Sequence, residues 1–115
     1  MNIWLARDGA LRLVARLREG EVETEVSGWN PAASAEHLLA AVDAAEREGY
    51  GECFWPEPTG QYWWLLRREE RRLEVVVLWS NSPAAGWQHV FRAADEVTYF
   101  RDRVRSELAQ CGLPK

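Results

Sequence analysis

The sequence is poor in the residues that most enzymes and metal proteins lean on. It has two histidines, two cysteines and one methionine, and Lys115 is its only lysine. No Cys-x-x-Cys or His-x-x-x-His pair occurs, and four singly scattered ligand residues do not make a zinc site, so no metal is expected. Long apolar runs are missing too. The longest uncharged stretch, 75–91, is broken by Ser80, Asn81, Ser82, Pro83 and Gly86, and its apolar part ends at Trp79, whereas a spanning helix needs about 20 residues. No basic segment followed by an apolar one opens the chain, so no signal peptide is expected. The chain is read as cytosolic, with Cys53 and Cys111 reduced. There is no glycine-rich phosphate loop, internal repeat or low-complexity stretch, and no cofactor is expected.

What remains is the composition of one globular α+β domain spanning 1–115. Hydrophobic residues make up 47% and charged residues 28%, enough apolar content to exclude disorder. Acidic side chains outnumber basic ones by 18 to 14, for a net charge of −4. Apart from Lys115 every basic residue is arginine, as a GC-rich genome would produce; the functional alternative is phosphate recognition by the planar guanidinium fork. Seven tryptophans stand at 4, 29, 55, 63, 64, 79 and 87. Tryptophan serves cores and anchors interfaces alike.

The first 28 residues read as a three-stranded meander. Strands over 2–7 and 10–18 are joined at Asp8-Gly9, a strong two-residue turn signal, and a third over 21–28 follows Glu19-Gly20. These turns set Trp4 opposite Leu13, Ala6 opposite Leu11, Leu17 opposite Val22 and Leu13 opposite Val26. They also pair Arg18 with Glu21 and Arg16 with Glu23 across the wet face. Ile3, Leu5 and Val14 then lie outward among the charges.

A helix is predicted from Pro31 or Ser34 to Glu48, capped by Asn30 or Ser34 and closed by Gly49. Its apolar stripe is Leu38, Leu39, Val42 and Ala45, with Ala41 beside it. Residues 52–55 read as a short strand stopped by Pro56, within an otherwise ambiguous loop around Trp55. A hairpin over 61–67 and 72–79 follows, with Trp64 opposite Val75, Tyr62 opposite Val77 and Leu66 opposite Leu73. A further strand covers 87–93. The last helix, capped by Asp95, runs to about Gln110 with Val97, Phe100, Val104, Leu108 and Cys111 on one face, stopped by Gly112 and Pro114.

The order βββ-α-(β)βββ-α predicts a single antiparallel sheet of about five or six strands with both helices on one face. Its expected core is Trp4, Leu13, Leu17, Val22, Val26, Leu38, Val42, Trp64, Val75, Val77, Phe100, Val104 and Leu108.

Catalytic constellations are thin. His37 and His89 lack a nucleophile and a carboxylate at a recognisable spacing. Cys53 follows Glu52, whose charge disfavours a thiolate. Arg67, Arg68, Arg71 and Arg72 cluster at a hairpin tip, but Glu69 and Glu70 sit among them and the domain is acidic, so no nucleic-acid binding is expected. The second hairpin is more informative. Tyr62, Trp64, Leu66, Leu73, Val75, Val77 and Trp79 form its inward face, yet Trp63, Leu65, Val76 and Leu78 turn outward where polar residues belong. Either another part of the chain covers them, or they form a surface for a protein partner or a second copy. The alternative is a small-ligand or enzymatic site using the loop around Trp55, with Trp29, Glu52, Trp55, Glu57 and Trp87 as its lining.

The order of elements and the segment Val90-Phe91-Arg92-Ala93-Ala94-Asp95-Glu96-Val97-Thr98-Tyr99-Phe100 resemble a group of small bacterial proteins. That group includes immunity proteins against contact-dependent, wall-associated toxins. The match is a tryptophan-bearing N-terminal hairpin, a central helix, an aromatic hairpin, then a strand ending in phenylalanine and an aromatic-bearing helix. The resemblance implies protein binding without catalysis and assigns no functional residue. Together these readings predict a cytosolic, non-enzymatic protein-interaction module of immunity or antitoxin type.

Overall fold

The computed structural model describes residues 1–113. Its order is β1 (Asn2–Asp8), β2 (Arg12–Glu19), β3 (Val22–Trp29), α1 (Pro31–Glu48), β4 (Tyr50–Glu57), β5 (Gly60–Glu69), β6 (Arg72–Ser80), a 3-10 turn (Pro83–Ala85), β7 (Gln88–Glu96) and α2 (Val97–Gln110). The α+β class and the antiparallel pairing are as expected. The single sheet is not: β1-β2-β3 form one sheet and β4-β5-β6-β7 another. The 18-residue α1 carries the chain across the core, and β4 opens a new sheet instead of extending the first. Where β3 and β4 come close they meet through side chains, since a Cβ on Gly28 would strike the Trp55 ring at 2.9 Å. Both sheets turn one face to a single apolar cluster, and both helices touch both sheets.

The helix ends follow the sequence signals closely. Asn30 caps α1 by accepting the Ala33 N–H, Pro31 is its first residue and Gly49 closes it with φ 92°. At α2 the cap is Glu96, one residue beyond the expected Asp95, which instead accepts the Glu96 N–H. Gly112 follows the last turn of α2, donating to Ala109 O; Pro114 lies outside the described residues.

Strand registers differ from expectation in an instructive way. The β1–β2 connection is the three-residue 9–11 loop rather than a turn at Asp8-Gly9, so Trp4 lies opposite Arg16 and not Leu13. An odd shift flips a strand. Ile3 and Leu5 therefore enter the core, and Trp4 turns outward beneath the Arg16 guanidinium, 4.9 Å from its ring. Ile3 and Leu5 thereby leave the outward face of the first meander, where Val14 remains half-buried beside Trp4. The other two hairpins shift by an even number, which keeps the faces. Gly20-Glu21 and Glu70-Arg71 are the turn residues, Leu17 pairs with Thr24, and Trp64 pairs with Val77. Arg18 pairs with Glu23 and Arg16 with Glu25, while Arg16 still reaches Glu23 diagonally at 3.8 Å. Val22, expected inside, is 62% exposed at the tip of β3.

The remaining expected core residues are buried, joined by Trp55, Phe91, Leu73 and Leu66. Trp55 and Trp64 pack with ring centroids 4.9 Å apart. The Trp55 indole N–H donates to Ser34 O at 3.0 Å, whereas the Trp64 N–H meets no acceptor among the described residues. An unmet buried donor costs about 1–3 kcal/mol, so Trp64 is favoured there by its volume and not by its polar end. Where α1 crosses β4, a Cβ on Gly51 would lie 1.9 Å from Ala41 O; only glycine lets the helix backbone lie this close to the strand.

Candidate protein interface

The residues around Trp55 do not form a loop. They are the middle of β4, an edge strand paired only with β5, where Pro56 is tolerated because one side of the strand needs no ladder donor. Alternation along β4 sends Gly51, Cys53 and Trp55 inward and Glu52, Phe54 and Pro56 outward.

Register then assembles the outer face of the four-stranded sheet. Glu52 pairs with Leu65 and Phe54 with Trp63; Trp63 in turn pairs with Leu78, and Leu65 with Val76. Directly paired residues point to the same side. The four residues expected at an interface, Trp63, Leu65, Val76 and Leu78, are therefore one contiguous patch. Phe54 stacks on Trp63 at 5.6 Å with 18° between planes, and Trp87, delivered by the loop before β7, lies 5.1 Å from Trp63 and 6.1 Å from Phe54. The Trp63 indole N–H donates to Glu52 at 2.8 Å, and the Tyr50 hydroxyl donates to the same carboxylate oxygen at 3.2 Å.

Trp63 is thus half-covered by its own aromatic neighbours, and among the described residues no helix or strand lies over them. Phe54 remains 40% exposed, Trp87 37% and Tyr50 46%. A charged row borders the patch: Glu74 accepts from Arg92 at 2.6 Å and lies 3.6 Å from Arg67. Sequence reasoning assigns Phe54 and Tyr50 to no site, because the segment before the second hairpin is ambiguous there, and it sets Trp87 with the Trp55 lining instead of beside Trp63. Treating that segment as a full strand would have placed Phe54 beside Trp63.

Free sheet edges compete with faces as docking sites, and here two of them are obstructed. At β1, side chains of α2 and its cap occupy the edge: Glu107 accepts the Leu5 N–H, Arg103 donates to Ile3 O and the Cys111 thiol donates to Leu5 O. At β7 the register breaks between Val77 and Leu78, which leaves Val90 as an extra residue, and the Thr24 hydroxyl donates to its carbonyl. Bulges and covered edges block strand addition.

The five residues read as an alternative ligand site separate into three places. Trp55 is fully buried. Glu52 and Trp87 belong to the aromatic face. Trp29, at the end of β3, and Glu57, on the inward side of β4, meet away from that face, where Arg12 sits 5.2 Å over the Trp29 ring and 2.9 Å from Glu57. There Glu57 also accepts from the Ser27 hydroxyl, which ties the two sheets together. An open polar cleft of about 380 Å³ adjoins these groups, lined also by Glu25, Tyr62 and Trp79. Burial, then Glu57 and Glu25, raises the Tyr62 phenol above its ordinary value.

His37 is exposed on α1 and His89 exposed on β7. Burial, helped by Glu52, pushes the Cys53 thiol up to about 12, so it stays protonated at neutral pH. Both cysteines are free. Among the described residues no group of three or more His, Cys, Asp or Glu is placed to hold a metal, and no helix is long and apolar enough to cross a membrane. No family model matches the chain, and neither a curated protein nor a solved structure shows significant similarity to it.

Proposed function

We propose that the protein is a non-enzymatic interaction module, acting in the cytosol, that binds a protein through the outer face of its four-stranded sheet. One observation carries this reading: Phe54, Trp63 and Trp87 cluster with Leu65, Val76 and Leu78 on a face that no helix or strand among the described residues covers. Such contiguous apolar surface on a soluble domain marks an interaction site, and aromatic anchors within a charged rim are the composition of an interface centre. An immunity or antitoxin role is a function of this kind, and the pattern resemblance alone points to it. The exposure of both histidines and the buried, protonated state of Cys53 support a role without catalysis. The glutamates between the hairpin-tip arginines support a partner other than nucleic acid.

The test is Trp63→Glu. The substitution places a charge at the centre of the patch without touching the core. The expected result is a folded chain with a cooperative thermal melt, lowered only by the lost contacts to Phe54, Trp87 and Glu52, together with loss of association measured by light scattering. A variant that melts normally and associates as before removes this face from any interface.

A further inference from the structure

We infer that the partner on this face is a second copy of the chain, packed face to face about a two-fold axis running along the strands between β5 and β6. The inference rests on the reading of the face as a protein interface and names its occupant.

The argument is the order of residues across the sheet. One row reads Glu52, Leu65, Val76, Arg92 from β4 to β7. It has an acid at one end, a base at the other and two aliphatic residues between. A two-fold axis parallel to the strands reverses such a row onto itself. Glu52 of one copy then meets Arg92 of the other, and Leu65 meets Val76. The neighbouring row obeys the same rule: Arg67 pairs with Glu74 in the chain, and reversal sets Arg67 against Glu74 of the second copy. In the aromatic row Trp63 comes over Leu78. Every charged position named meets its opposite. The other in-plane axis, perpendicular to the strands and passing through this row, sets Glu52 on Glu52 and Arg92 on Arg92, and like charges in contact are strongly disfavoured. Of these two axes the charge pattern favours the one along the strands, and its self-complementarity points to a second copy as the occupant. An isologous contact of this kind is the commonest form of homo-oligomer.

The charged groups are already held at the face. Glu52 is fixed by the Trp63 and Tyr50 donors, and Arg92 by two bonds to Glu74. Aligned sheets pack at about 30° to one another, so the axis lies within about 15° of the strands and the rows stay in reach. Four strands span roughly 20 Å and three rows about as much. That is a contact at the small end of specific interfaces, well below the roughly 800 Å² per partner of a standard one, so the dimer forms in a concentration-dependent way.

The decisive experiment is charge exchange, read by sedimentation equilibrium from micromolar to millimolar chain, with circular dichroism as the fold control. The parent chain is expected to pass from monomer to dimer. Arg92→Glu and Glu52→Arg are each expected to weaken that dimer roughly tenfold or more, because each turns two attractive contacts into repulsive ones. Mixed together, the two variants restore a dimer of parent strength, since every contact between them is again acid against base. Glu52→Gln and Arg92→Gln, gentler to the fold, shift the equilibrium in the same direction by less. A parent chain that stays monomeric throughout, or variants whose mixture does not recover, overturns the proposal. A photo-crosslinking residue at Leu65 separates this failure from failure of the face itself. A self-adduct supports the dimer; an adduct only with a different protein overturns the dimer and keeps the interface; no protein adduct at all overturns both.

Discussion

On the outer face of the three-stranded sheet, Trp4 lies beneath the Arg16 guanidinium, and Arg16 reaches on to Glu23. On the outer face of the four-stranded sheet, Trp63 lies against Phe54 and Trp87, which are themselves open. Both sheets bury one face in the same core and both place a tryptophan outward. The first sheet covers its tryptophan with a charged, solvated side chain and ends as an ordinary surface. The second covers its tryptophan with more apolar surface, which moves the exposure outward instead of ending it. The comparison teaches that outward tryptophan is not the signal of an interface; what its neighbours offer to water is.

The comparison presumes one core behind both faces, and the largest expected effect tests that. Phe100 is buried in α2, which packs against β1 of one sheet and β6 and β7 of the other. Phe100→Ala is expected to cost about 3–5 kcal/mol and to lower both sheets in a single denaturant transition. Two separated transitions would mean that the sheets fold as independent units.

The next effect sets the two outer tryptophans against each other. Trp4→Glu forfeits packing and a cation–π contact, together roughly 1–2 kcal/mol, and leaves association untouched. Trp63→Glu forfeits its contacts to Phe54 and Trp87 as well, but is expected in addition to abolish association. Melts and light scattering on the pair sharpen the contrast, and equal behaviour would erase it.

A smaller effect lies in the hairpin tips. Gly20 and Glu70 occupy the same first position of a two-residue turn, with φ of 61° and 56°. Glycine adopts that conformation freely and glutamate does not. Glu70→Gly is therefore expected to stabilise the four-stranded sheet by about 0.5–1 kcal/mol, seen as a raised melting temperature, while Gly20→Ala destabilises the other sheet.

The smallest effect is electrostatic. The Thr98 hydroxyl first, then the Tyr99 N–H, holds the Glu96 carboxyl below its ordinary value. A depressed carboxyl stabilises the fold above its unfolded pKa and loses that contribution as pH falls through the lower folded one. The melting-temperature gap between the parent and Glu96→Ala is expected to be open at neutral pH and to narrow in acid below the ordinary carboxylate range.

Much of this architecture is legible in the chain because its signals are local. Asn30-Pro31 and Gly49 bound α1, and the spacing of Phe100, Val104 and Leu108 marks the buried stripe of α2. The inward set of the second hairpin survives a register error because that error is even. The same reasoning fails at β1, where one more residue in the connection turns Ile3 and Leu5 inward and Trp4 outward. Asp8-Gly9 is a good turn sequence, but a local preference worth a fraction of the burial of two aliphatic side chains does not set the register alone.

By itself, then, the sequence determined both helices and every strand but the full extent of β4, where the helices stop, and that Trp63, Leu65, Val76 and Leu78 share a side. These follow from caps, turns and the two-residue period of a strand, all of which act within a few residues. Only the tertiary structure decided that seven strands divide into two sheets and that Phe54 and Trp87 close around Trp63. It alone placed Glu52 and Arg92 at opposite ends of one row. Those outcomes depend on contacts between residues many positions apart, and they are settled by how two sheets and two helices fill one core.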